Sequence, residues 1–207
     1  SVDAAVVAAV DTAVRGAHPP VGRSGRAVIV SGDTVVVGAA SEGSSATGVD
    51  GNQSDNGATG SGAAYVFVRN GTAWEQKAYL KASNTGKDDR FGSSLSISGN
   101  LLAIGAPNED SGSVGINGNQ ADNGRGQTGA VYVFIRNGQI WSQQAYLKPS
   151  RFDSSGVYFG TSVAVGGETV AVGSLYVGAE VFVRTTGGFA WQAVLDDEQR
   201  VAALQRV

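Results

Sequence analysis

The segment AYVFVRNGTAWEQKAYLKAS at residues 64–83 returns at 131–150 as VYVFIRNGQIWSQQAYLKPS, 67 positions later, with every aromatic in register and no gap. A shorter third copy is split between FGTSVAVGGETVAVGS at 159–174 and EVFVRTTGGFAW at 180–191. A duplicated unit of this length is one supersecondary element that buries its apolar surface only against neighbours of its own kind. Stacked repeats are therefore the expected source of the core.

Each unit reads as four short strands. In the best-preserved copy, 93–98 (SSLSIS) alternates polar with apolar, Gly99-Asn100 forms a tight turn, and 101–104 (LLAI) is a short apolar run; this pattern predicts a hairpin. After Gly105-Ala106-Pro107 a stretch rich in Gly, Asn, Asp and Ser runs to Gly129. A second hairpin follows, from 130–136 (AVYVFIR) through Asn137-Gly138 to 140–148 (IWSQQAYLK). Antiparallel strands that are apolar on nearly every residue belong to a sheet covered on both faces, and small sheets stacked in a ring make a β-propeller. The sequence thus predicts an all-β chain of about three propeller blades of four antiparallel strands, over residues 24–90, 91–158 and 159–195. Tyr65 and Phe67 alternate with Val66 and Val68, as Tyr132 and Phe134 do with Val131 and Val133, which predicts one aromatic and one β-branched face per blade. Known propellers need about four to eight blades. The chain is then a partial propeller or one closed by self-assembly.

The ends are less regular. Residues 1–23 form an irregular segment, read either as an outer strand of a preceding blade over 8–15 or as an Ala-rich helix over 2–14. Residues 196–207 form a tail with a helical reading from Asp197 to Val207. The missing methionine at position 1 predicts a processed or truncated N-terminus.

Composition excludes several function classes. The 207 residues are 42% hydrophobic and 16% charged, a globular balance, with 31 glycines against four prolines. A net charge of −3 without a Lys/Arg cluster offers no footprint for nucleic acid. No apolar run reaches the roughly 18 residues of a membrane span, so no membrane insertion is expected. With no cysteine there is no disulfide, thiolate metal site or cysteine nucleophile. The single histidine, His18, precedes Pro19-Pro20 without a recognisable orienting partner, and the acid pairs Asp88-Asp89, Glu109-Asp110 and Asp196-Asp197 read as solvated loop charge. No catalytic residue is expected, and the chain reads as a non-enzyme.

Phe91-Gly92 opens one strand of the unit and Gly105-Ala106-Pro107 ends its partner. Weaker copies stand at Phe159-Gly160 with Gly173-Ser174, and at Ser24-Gly25 with Gly38-Ala39-Ala40. Across residues 24–191 this register of FG, GAP, YVF and Trp resembles the FG-GAP repeat of the integrin α-subunit N-terminal propeller, in its bacterial surface or secreted form. The resemblance implies a seven-bladed propeller in a complete protein, an extracellular or cell-surface location, and adhesion or ligand binding. Calcium-binding members place an Asp/Asn loop between the FG and GAP strands. Here only Ser98-Gly99-Asn100 and Ser31-Gly32-Asp33 stand there, so that metal site does not transfer.

The recurring polar constellation lies instead in the long loops 42–61 and 109–128. Asp50, Asn52 and Asp55 in the first, and Asn117, Asn119 and Asp122 in the second, place oxygen ligands around glycines in a way that suits a hard cation such as Ca²⁺. The same residues also build ordinary turns by bonding their own backbone. The third copy runs from Ser174 to Gly178 without such a loop, so the blade fold does not require it. The loops are expected to meet a protein or glycan ligand or copies of the chain, to shield a sheet edge, or to contact a missing blade. Trp74, Trp141 and Trp191 recur once per unit and read as packing between blades or as sugar-stacking platforms. The functional expectation is a noncatalytic extracellular binding, adhesion or surface-assembly module. The alternatives are a lectin-type propeller and a carrier fragment of a larger secreted enzyme.

Overall fold

The structure, a computed structural model, describes residues 27–152, 156–176 and 178–195. Among these there are twelve strands and no helix. They form three four-stranded antiparallel sheets, each in sequential order. The first comprises β1 (Ala27–Ser31), β2 (Thr34–Ala39), β3 (Ala63–Asn70) and β4 (Ala73–Leu80). The second comprises β5 (Ser94–Ser98), β6 (Leu101–Ala106), β7 (Ala130–Asn137) and β8 (Ile140–Leu147). The third comprises β9 (Ser162–Gly166), β10 (Thr169–Gly173), β11 (Ala179–Thr185) and β12 (Gly188–Leu195). These are propeller blades. The strand and helix readings of the N-terminal segment, the C-terminal helical reading, His18 and Asp196-Asp197 lie outside the described residues.

Repetition extends to irregularities. Each blade carries a register shift between its third and fourth strands, at Val66/Phe67, Val133/Phe134 and Val181/Phe182. A bulge at one position in every copy increases local twist and bends the outer strand alike in each blade. β2 and β6 are buried at every residue because both of their faces are covered.

The aromatic face of one blade packs on the aliphatic face of its neighbour, as the alternation predicts. Phe91, Tyr132, Phe134 and Tyr146 of the second blade join Val36, Val66, Ala78 and Leu80 of the first in one buried cluster. Val131 and Val133, on the opposite face, join Phe159, Val170, Val172 and Phe182 of the third blade. Each such large side chain is worth about 1.5–3 kcal/mol when fully buried, so the joints between blades hold much of the stability. The third copy departs at two aromatic positions, with Glu180 and its partner Val194 standing where Tyr132 and its partner Tyr146 stand. Glu180 pairs with Val172 as Tyr132 pairs with Ile104, and this buried carboxylate accepts hydrogen bonds from Ser150 N at 3.0 Å and Ser150 Oγ at 3.1 Å.

First strands of adjacent blades meet directly. Ser96 Oγ accepts from Val165 N at 2.9 Å, and Ser94 Oγ donates to the Gly160 carbonyl at 2.7 Å. The joint also carries the glycines of the signature. A Cβ on Gly38 would lie 2.1 Å from Gly92 O, and one on Gly105 would lie 2.1 Å from Gly160 O. Gly38 and Gly105 close one blade's second strand, whereas Gly92 and Gly160 open the next blade. The two halves of the repeat motif therefore meet across the joint, where backbones approach too closely for any side chain.

Candidate functional site

The long loops leave β2 and β6 and return to β3 and β7 at equivalent places on neighbouring blades. Each is held at its base by a buried hydroxyl. Ser61 Oγ donates to Ser44 O at 2.9 Å, and Thr128 Oγ1 donates to Ser111 O at 2.7 Å. Ser44 Oγ and Ser111 Oγ in turn donate to Asn52 O at 2.7 Å and Asn119 O at 2.8 Å.

The six sequence-selected oxygen donors all receive backbone N–H groups. Asp50 Oδ1 accepts from Tyr79 N at 2.8 Å, and Asn117 Oδ1 accepts from Tyr146 N at 2.9 Å. Both residues have positive φ, 55° and 54°, a conformation that Asn and Asp tolerate better than most residues. Asn52 Oδ1 accepts from Ser54 N, and Asn119 Oδ1 from Ala121 N, each at 3.0 Å. Asp55 Oδ1 accepts from Gly57 N at 3.1 Å while its Oδ2 receives Ser45 N and Ser45 Oγ. The Ser45 hydroxyl and N–H hold the Asp55 carboxyl below the usual carboxylate range. Asp122 Oδ1 accepts from Gly124 N at 2.9 Å and Oδ2 from Gly112 N at 3.0 Å. The bonds of Asn52, Asn119, Asp55 Oδ1 and Asp122 Oδ1 to the residue two positions on are those of Asx turns, whereas Asp50 and Asn117 tie the loops to the outer strands. Among the described residues no three His, Cys, Asp or Glu side chains converge on a metal-sized position.

The loops also cover sheet edges. Asp50 N donates to Tyr79 O and Lys81 N to Gly48 O, both at 2.8 Å, and Asn117 N and Lys148 N repeat the pattern with Tyr146 O and Gly115 O. One end of each outer strand is thereby paired, which removes donors and acceptors that would template intermolecular pairing. The second loop reaches the connection between blades: Ser83 Oγ donates to Gln120 Oε1, and Asn84 Nδ2 donates to Gln120 O at 3.0 Å.

Below the loops lies a repeated constellation that the motif reading did not single out. Lys81 Nζ donates to Glu42 Oε2 at 2.9 Å and Ser61 Oγ at 2.8 Å. Lys148 Nζ donates to Glu109 Oε2 at 2.6 Å and Thr128 Oγ1 at 2.7 Å. The lysine side chains are fully buried and the glutamates nearly so. A signal existed: both copies place Glu and Lys 39 residues apart, each lysine directly after the buried Ala-Tyr-Leu end of an outer strand. Glu109, read as solvated loop charge, is in fact 1% exposed. It is drawn inside because the loop base folds over it.

Asp89 is a second correction of that kind, at 5% exposure. Its Oδ2 accepts from Gly86 N at 2.8 Å, and burial, reinforced by the negative charge of Glu109, pushes its carboxyl up to about 7. A carboxyl raised in the folded state binds its proton more tightly there, so its contribution is complete below about pH 4 and is lost as pH rises towards 7. Asp89→Asn is expected to raise the urea-unfolding free energy at about pH 8, by on the order of 2–4 kcal/mol, and to leave it nearly unchanged at about pH 4. Equal effects at both pH values would contradict this account.

Trp74 and Trp141 sit in two environments. Trp141 is 3% exposed and Trp74 half-buried. The Arg136 and Arg69 guanidinium carbons lie 5.7 and 6.0 Å from the respective ring centroids, within the range of a cation–π contact. The ring of Trp141 is thus taken up by packing.

Residues 74–134 match the FG-GAP repeat family. The matched stretch runs from the outer strand of the first blade to the third strand of the second and contains Phe91-Gly92 and Gly105-Ala106-Pro107, so this chain carries an FG-GAP repeat within stacked propeller blades. No curated protein matches the chain. No helix among the described residues is long and apolar enough to cross a membrane.

Proposed function

We propose that this chain is a noncatalytic, integrin-like propeller module that works outside the cell or at its surface, with loops 42–61 and 109–128 as the surface that meets a protein or glycan ligand. One observation carries this reading. Two adjacent blades hold long loops in the same internal hydrogen-bond frame, while the third blade joins β10 to β11 through a short turn and keeps its sheet. Rigid, scaffold-dispensable loops are where binding surfaces are built. Their exposed side chains include Asn52, Ser54, Asn56, Asn119 and Asn123, which offer amide and hydroxyl groups with little net charge.

Replacing the exposed Asn52, Ser54, Asn56, Asn119 and Asn123 by alanine, which leaves Glu42, Ser61, Glu109 and Thr128 on their buried lysines, is expected to abolish retention on a glycan array and on immobilised extracellular-matrix proteins, with the β circular dichroism signal preserved. Unchanged retention would overturn the reading. Array binding alone would place the module among lectins. Calorimetric titration with Ca²⁺, repeated on Asp55→Ala and Asp122→Ala, decides whether the loops also hold a cation.

A second reading, assembly with further blades, is favoured by the first strand. Leu95 and Ile97 of β5 pack against the first blade, and Val163 and Val165 of β9 against the second. Val28 and Val30, at the same register positions of β1, are 48% and 55% exposed. Sedimentation at a multiple of 21.0 kDa would support supply of that blade by a second copy.

A further inference from the structure

We infer that the second blade is an internal cross-linking site, in which Lys148 Nζ forms an amide bond with Cγ of Asn84 and releases the asparagine nitrogen. Both reactants are hydrogen-bonded to one carboxylate. Glu109 bridges the two reactants: its Oε2 receives Lys148 Nζ at 2.6 Å, and its Oε1 receives Asn84 Nδ2 at 2.9 Å. Tyr132 OH donates to Asn84 Oδ1 at 2.5 Å, which places a donor on the oxygen where negative charge develops during attack.

The surroundings favour a nucleophilic lysine. Its side chain is fully buried, its Nζ lies 5.9 Å from the Tyr146 ring centroid, and that ring packs on Tyr132 with centroids 5.3 Å apart. Burial pulls the Lys148 ammonium below the ordinary lysine range, against the opposing effect of Glu109. Desolvation is a recognised route to a reactive amine.

The balance closes without an oxidant or co-reactant. Glu109 accepts a proton from the Lys148 ammonium, and the freed lone pair forms the N–C bond to Cγ of Asn84. Glu109 then passes a proton to Nδ2 as the Cγ–Nδ2 bond breaks, and the departing ammonia takes the extra proton from the new amide nitrogen, a general-base and general-acid role for one carboxylate. Overall, an alkylammonium and a carboxamide become a secondary amide and ammonium.

The first blade supplies an internal control. Lys81 and Glu42 form the same buried pair, but Glu42 Oε1 is occupied by Ser44 N at 2.8 Å. The position 67 residues before Asn84 is Ala17, which has no carboxamide to lose. One link per chain is expected, joining the connection between the first two blades to the end of β8.

Intact mass spectrometry of the full chain tests this. The wild-type protein is expected to be about 17 Da lighter than its sequence, the mass of one ammonia lost in amide exchange, with tryptic peptides carrying Asn84 and Lys148 recovered joined. Lys148→Arg and Glu109→Gln are each expected to show the full mass of their own sequences. Wild-type protein at full sequence mass with separate peptides would overturn the inference. So would a loss that persists in Lys148→Arg, because it would then arise from succinimide formation at an Asn-Gly step. The wild-type peptide map decides the matter even where a variant fails to fold.

Discussion

Gly92→Ala is expected to destabilise the protein by roughly 3–5 kcal/mol, a combination of backbone strain and forced overpacking. Gly92 has φ of +88°, and a Cβ there would sit 2.3 Å from the Ala63 carbonyl oxygen and 3.2 Å from Gly38 Cα. Every atom it meets is backbone. A side chain can rotate away from an intruding methyl, whereas two blades whose strands are already hydrogen-bonded separate only by breaking the aromatic cluster of Phe91, Tyr132 and Phe134. Gly99→Ala is the control, since Gly99 also has positive φ, +56°, but nothing lies within 4 Å of its added Cβ. That variant should lose only about 1–2 kcal/mol, the cost of a left-handed alanine. Urea unfolding monitored by tryptophan fluorescence measures both. Equal losses would show that the contact between FG and GAP glycines does not govern the joint.

Lys81→Met is expected to cost about 3–5 kcal/mol, because it leaves the Glu42 carboxylate buried without its cation. The side chain of Glu42 is 3% exposed, so water does not replace the ammonium. The remaining donor on that carboxylate is Ser44 N at 2.8 Å. Adding Glu42→Gln should recover a large part of the loss, since a neutral amide needs far less compensation than an ion. A double variant as unstable as the sum of the two singles would mean that the pair is not coupled. The first blade is the better place for this measurement, because its pair lacks the carboxamide that Asn84 brings to the second.

The repeat itself disclosed the blade. Period-two alternation in 93–98, the turns at Gly99-Asn100 and Asn137-Gly138, and the apolar runs between them located all four strands of the second blade, since these signals act over a few residues. The bulge after Val133 was not visible, because an extra residue in an outer strand alters pairing without altering the alternation of the inner ones. The candidate loops were legible as loops, and their Asp and Asn residues as turn builders or cation ligands. Their attachment along the outer strands was not. That attachment joins Asp50 to Tyr79, residues 29 positions apart.

What the amino-acid sequence determined alone is the unit: four strands, their alternating faces, and the need for a neighbour on each side, because hydrophobic period and turn chemistry are local. Tertiary structure alone decided that the glycines of FG and GAP face each other across a joint, and that Glu42, Glu109 and Asp89 lie inside rather than in water. The reason is physical: whether a charge is buried, and which backbone it opposes, depends on what the fold lays over it, and those partners come from distant segments.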